Sequence, residues 1–103
     1  MNIQQLKNFI KTYDCGSISK AAEISYQSQQ ALSHSIRSLE KCLDCVLFLR
    51  NANGSIPTMV AHAIYDDAKR IVVSADHMAF KSKHAAGKHK KTISMCFVGN
   101  ILG

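Results

Sequence analysis

The chain has 103 residues, 47% hydrophobic and 19% charged, with a formal net charge of +6. That length holds one domain, or one domain and a fragment of another, and the composition is globular rather than disordered. No apolar run reaches the roughly 18 residues that suggest a membrane span, and MNIQQLKNFIKTYD lacks the continuous apolar core of a signal peptide.

Four cysteines, Cys15, Cys42, Cys45 and Cys96, show no disulfide-framework spacing, so free and mostly buried thiols in a reducing cytoplasm are expected. The positive charge favours a polyanionic partner. It is uneven: residues 1–58 carry six Lys/Arg against four Asp/Glu, and residues 59–103 carry seven against three, with five lysines between Lys81 and Lys91. That lysine-rich stretch reads as a solvated linker before it reads as a phosphate contact.

Ile3, Leu6, Phe9, Ile10 and Tyr13 recur at helical spacing, which predicts an amphipathic helix over 3–14 stopped by Gly16. Ser17 is placed to cap a short helix, Ile18–Ser25, with Ala21, Ala22 and Ile24 as its packing residues. After the turn Ser25-Tyr26-Gln27, Ser28 caps a third helix running to about Leu43. On a wheel of about 100° per residue, Leu32, Ile36, Leu39 and Leu43 fall in a stripe roughly 60° wide. Gln30, Ser33, His34, Arg37 and Lys41 lie opposite, with Gln29 nearer the stripe's edge. One face anchors the helix, and the other is free to meet a ligand.

VLFLRNANGSIPT follows. Apolar residues 46–49, an Asn53–Gly54 pair suited to a type I′ turn, and Ser55–Ile56 predict a short β-hairpin. Pro57 lacks an N–H and belongs at its edge or end. Thr58 caps a fourth helix, about 59–84. In it Val60, Ile64, Ala68, Ile71, Ala75 and Met78 form a two-per-heptad seam, narrow enough to meet another helix. Pairing with a second chain is favoured there over packing on the same domain. The last segment, TISMCFVGNILG, reads as a strand with no sheet to join, so it is expected to open a second domain.

Helix, short helix, tight turn, helix and hairpin make a mainly α fold, a winged helix-turn-helix with a long linker helix behind it. Such a third helix fits the DNA major groove, about 12 Å wide, while the hairpin reaches a neighbouring groove or the backbone. Gln can pair with adenine, Ser serves base edges or phosphate, and Arg37 and Lys41 suit phosphates. The chain has no glycine-rich phosphate loop and no paired-carboxylate site, and Cys42-x-x-Cys45 without a second pair is a poor zinc site. No enzyme activity, cofactor or metal is expected.

These pieces together resemble the N-terminal region of LysR-type bacterial transcriptional regulators. The resemblance is carried by LKNFI, GSISKAAEIS, SQQALSHSIRSLEKCL, VLFLRN and PTMVAHAIYDDAKRI, and covers residues 1–72. It implies a DNA-binding domain over 1–58 and a linker helix over 59–84 through which such regulators dimerise. Residues 85–103 would be a basic hinge and the first strand of an effector-binding domain otherwise absent. By motif position, Gln29, Ser33 and His34 resemble the family's main recognition-helix contacts, and Ser17, Lys20, Gln27, Ser28 and Arg37 its supporting ones. Arg50 matches the arginine of the LF-x-R motif, and Asn53 stands at the wing tip.

The implied partners are double-stranded DNA and a second copy of the chain, in the cytoplasm. No membrane, and no small-molecule inducer of so short a chain, is implied. The alternative from another class is a truncated interaction module, forming mixed dimers with a full-length regulator and having little DNA affinity of its own. Departures from the family pattern are Gln30 for proline, His34 for arginine, Asp44 for a helix-ending glycine and Ala61 for glycine. His34 gives up a fixed charge and a bidentate fork.

Overall fold

The computed structural model describes residues 1–86. The described residues form four helices, α1 (Ile3–Cys15), α2 (Ile18–Ile24), α3 (Gln29–Leu43) and α4 (Met59–Ala86), and one antiparallel hairpin of β1 (Phe48–Asn51) and β2 (Gly54–Pro57), which lies between α3 and α4 in the chain. This is the winged helix-turn-helix order expected from the sequence. The hinge and strand expected past Ala86 lie outside the described residues.

The starts of the four helices, and the ends of α1 and α3, have local causes. Asn2 and Gln5 form a capping box at the start of α1, their side chains each accepting from the other's backbone N–H. Gly16 ends that helix in the left-handed conformation that glycine adopts without a Cβ penalty (φ +70°). Ser17 and Ser28 cap α2 and α3, accepting from the N–H groups of Lys20 and Ala31 at 3.2 and 3.0 Å. Thr58 Oγ accepts from Ala61 at the start of α4 and donates to the Val46 carbonyl at 2.7 Å, tying that helix to the wing. The α3 C-cap is Asp44, a non-glycine residue in left-handed geometry (φ +55°, ψ +48°).

The main core joins α1, α3, α4 and the wing through Ile3, Leu6, Phe9, Ile36, Leu39, Leu47, Phe48, Ala61 and Ala68. Phe9 is its centre, with Phe48, Tyr13 and Tyr65 rings 5.7–6.5 Å away. Burying each large side chain of this set contributes about 1.5–3 kcal/mol. A smaller cluster, Ala21, Ala22 and Leu32, lets α2 approach α3 closely at the helix-turn-helix corner. Glu40 steers the chain out of α3: its carboxylate accepts from the Leu47 and Phe48 N–H groups at 2.7 and 3.3 Å.

Several expectations are corrected. Ile24 and Leu43 are not packing residues but are 53% and 38% exposed, since each lies at a helix end beyond the reach of the core. The hairpin starts two residues later than expected and turns at Ala52–Asn53. Asn51 pairs with Gly54, and Asn51 Oδ1 accepts from the Asn53 N–H at 2.8 Å. Neither turn residue has a positive φ, so no type I′ turn forms. Of the described thiols, Cys42 is exposed and Cys15 and Cys45 are half-buried.

The α4 seam is divided. Ala68 is buried in the core and Ile64 and Ala75 pack against it, whereas Val60, Ile71 and Met78 are 38–42% exposed. The cause is α1, which α4 crosses and which covers one edge of the stripe. Pro57 closes β2 opposite Phe48, at a strand end as its missing N–H requires.

Candidate nucleic-acid interface

The N-termini of α2 and α3 and the wing enclose one open groove of about 710 Å³. Of the candidate contacts, it brings together Ser17, Gln29, Gln30, Ser33, His34, Arg37, Arg50 and Asn53, joined by Ser19 and Asn51. Gln29, Gln30, His34 and Arg37 are exposed along α3, on the side away from buried Leu32, Ile36 and Leu39. Among the described residues no carboxylate lines the groove. Its charge is therefore positive, and its other groups are hydroxyls and amides that can donate or accept.

Two hydrogen bonds order the groove from within. Gln29 Nε2 donates to Ser19 Oγ at 3.2 Å, joining α3 to α2. Arg50 Nη1 donates to Ser33 Oγ at 2.7 Å, joining the wing to α3. Arg50 can reach inward because it lies two residues from buried Phe48, on the same face of β1, and pairs with buried Ser55. Leu49 and Ile56 form the cross-strand pair on the wing's outer face, 59% and 51% exposed.

The other candidates lie elsewhere. Lys41 is exposed one turn beyond the groove, beside Glu40, Asp44 and Cys45. Lys20 is exposed on α2 and Ser28 is engaged as the α3 cap. Gln27 is turned inward: its Nε2 donates at 2.9 Å to Oδ1 of buried Asn8, which also accepts from Gln4 and donates to Ser35. Ser19 was missed by sequence reasoning. Its position beside the Ser17 cap, in the first turn of a helix pointing at the third, is the signal that could have found it.

Comparison with known proteins gives concordant results. The family model described as bacterial regulatory helix-turn-helix protein, lysR family, matches residues 3–62. The nitrogen assimilation regulatory protein nac of Klebsiella aerogenes is 38% identical over 72 residues, 70% of this chain and 24% of that protein. The HTH-type transcriptional regulator TcbR of Pseudomonas sp. (strain P51) is 31% identical over 99 residues, 96% of this chain and 34% of that protein. The chain thus spans a quarter to a third of the length of these relatives.

Among solved structures, the CbnR_DBD–DNA complex superposes with a TM-score of 0.79 at 34% identity, covering 84% of this chain and 99% of that one. The BenM_DBD/catB site 1 DNA complex superposes with a TM-score of 0.78 at 28% identity, covering 84% and 97%.

Proposed function

Because the chain belongs to the lysR family of bacterial regulatory helix-turn-helix proteins, we propose that it is a sequence-specific DNA-binding transcriptional regulator acting as a homodimer, with α3 in the major groove. The observation that carries this reading is the carboxylate-free groove, in which Gln29, Gln30, Ser33 and His34 converge with Arg37 and Arg50. Amides and hydroxyls on an exposed helix face suit base edges, and the flanking Arg37 guanidinium suits phosphates. Two proteins of the same fold have been crystallised with DNA, which supports the same use here.

Dimerisation is proposed through α4. That helix is about 42 Å long for its 28 residues, and Val60, Ile71 and Met78 remain exposed along one side of it. An isolated apolar stripe on a helix of this length needs a partner helix. Ile64, Ala68 and Ala75 already serve the chain's own core, so the contact offered to a second copy is narrower than the full seam.

The test is binding to a fluorescent duplex with inverted half-sites about one helical turn apart, compared with a scrambled duplex at several salt concentrations. A preference for the palindrome that persists at physiological salt and is lost in Gln29→Ala is expected. Equal, steeply salt-dependent binding to both duplexes would reduce the function to phosphate contact alone. Sedimentation of Ile71→Asp tests the dimer, since this exposed position should yield a folded monomer.

A further inference from the structure

We propose that Arg50 is a positioning residue that turns Ser33 into a hydrogen-bond donor toward the bases, so that the wing takes part in reading sequence. This rests on the DNA-binding function proposed above.

A serine hydroxyl has one hydrogen and two lone pairs, and by itself serves donor and acceptor edges alike. Here the Arg50 guanidinium donates to Ser33 Oγ at 2.7 Å. A cationic N–H on that oxygen occupies one lone pair, weakens the other as an acceptor and polarises the O–H outward. The hydrogen is then what Ser33 has to offer. In the major groove guanine N7 and O6, adenine N7 and thymine O4 can accept it, whereas cytosine presents an amino donor.

The geometry that delivers Arg50 is firm at both ends. Its strand partner Ser55 is 6% exposed, and the Ser55 N–H donates to the Gly16 carbonyl at 3.0 Å, so this part of the wing is tied to the α1–α2 corner. Ser33 sits on α3 between buried Leu32 and Ile36. Among the described residues Arg50 forms no ion pair that would draw its guanidinium away.

The experiment measures affinity for palindromic duplexes that differ only at the base pair facing Ser33, located as the position whose preference changes in Ser33→Ala. Wild type, Arg50→Gln, Ser33→Ala and the double variant are compared, each checked for fold by circular dichroism. Wild type should prefer an acceptor base over cytosine by about fivefold, the value of one net hydrogen bond. Arg50→Gln should lose that preference at this position alone, and the double variant should discriminate no worse than either single one. If Arg50→Gln instead weakens every duplex by the same factor, lowers the salt slope by about one and keeps the preference, Arg50 is a phosphate contact and the proposal is overturned. Wild type that fails to distinguish palindrome from scrambled duplex would overturn the DNA-reading function itself, and shows in the unmodified chain before any variant is made.

Discussion

Gly54 of the wing is pressed against the backbone of Gly16, at the corner between α1 and α2. The Ser55 N–H donates to the Gly16 carbonyl oxygen, and a Cβ on Gly54 would run into that same oxygen. Gly54 also has φ +142°, which side-chain-bearing residues rarely adopt. The wing is therefore fixed to the helix-turn-helix corner by backbone against backbone, and the groove between them inherits its width from this contact.

Gly54→Ala should then be costly, about 2–4 kcal/mol, because the conformational strain and the collision add. Gly16→Ala has open space around its Cβ and only a left-handed φ to bear, so about 1 kcal/mol is expected. Urea midpoints of the two variants separate these cases, and equal losses would show that the close approach is unimportant.

At the far end of α3 the strain runs the other way. Asp44 holds a left-handed C-cap and places a negative charge at a helix C-terminus, both unfavourable. Asp44→Gly should stabilise the chain by about 1 kcal/mol, read as a rise in the melting temperature. A fall would mean that the carboxylate has an unrecognised stabilising role.

The same substitution has a chemical readout. Burial first, then the charges of Glu40 and Asp44, push the Cys45 thiol above its usual pKa, so less of it is thiolate near neutral pH. Alkylation by iodoacetamide should reach exposed Cys42 before half-buried Cys45. Asp44→Gly removes one of the raising charges and should accelerate modification of Cys45, as followed by mass spectrometry; an unchanged rate would leave burial and the Glu40 charge as the operative causes.

Tyr65 gives a high-pH signature. Its hydroxyl donates to Asp14 Oδ1 at 2.5 Å, and its ring stacks on Tyr13 with centroids 3.9 Å apart. That hydrogen bond above all, with burial and nearby negative charge, pushes its pKa up to about 12. The folded chain thus holds this proton more tightly than the unfolded chain does. The associated stability is present below pH 10 and is lost as the pH rises from about 10 to about 12. In an ultraviolet titration, the difference between wild type and Tyr65→Phe should show tyrosinate forming near pH 12, and Asp14→Asn should bring it down. Ionisation of Tyr65 near pH 10 in wild type would deny the bond to Asp14.

These relationships divide by how far apart in sequence their causes lie. Gly16, Ser17, Ser28 and Thr58 punctuate the chain where their own chemistry acts, within three residues, so the helix boundaries could be read directly. The α3 wheel likewise separated Leu32, Ile36 and Leu39 from the groove-lining face. Asn53–Gly54 misled because Gly54 answers to Gly16, a distant backbone, rather than to the turn beside it. A heptad stripe says that Ile64, Ala68 and Ala75 meet something apolar, but not that α1 of the same chain is what they meet. Nor could the pattern show that Arg50 would bond to Ser33, 17 residues earlier.

Gln27 is the site residue most changed by such a distant partner, since Asn8 lies 19 residues before it. Asn8 is 2% exposed, and all its amide bonds are internal: Oδ1 accepts from Gln4 and Gln27 at 3.1 and 2.9 Å, and Nδ2 donates to Ser35 at 2.9 Å. This polar knot holds α1, the helix-turn-helix turn and α3 together. Asn8→Leu leaves the Gln27 amide and the Ser35 hydroxyl without this partner and should cost about 2–3 kcal/mol. Gln27→Leu should cost less, because Asn8 keeps Gln4 and Ser35. The double variant should lose less than the sum of the two, since replacing both partners removes the stranded groups along with the bond. A double-mutant cycle by urea unfolding measures this coupling, and additive losses would dissolve the knot into independent contacts. Because the Gln27 amide points inward, Gln27→Leu should alter duplex affinity uniformly across sequences, whereas a change at one base position would return Gln27 to the reading face.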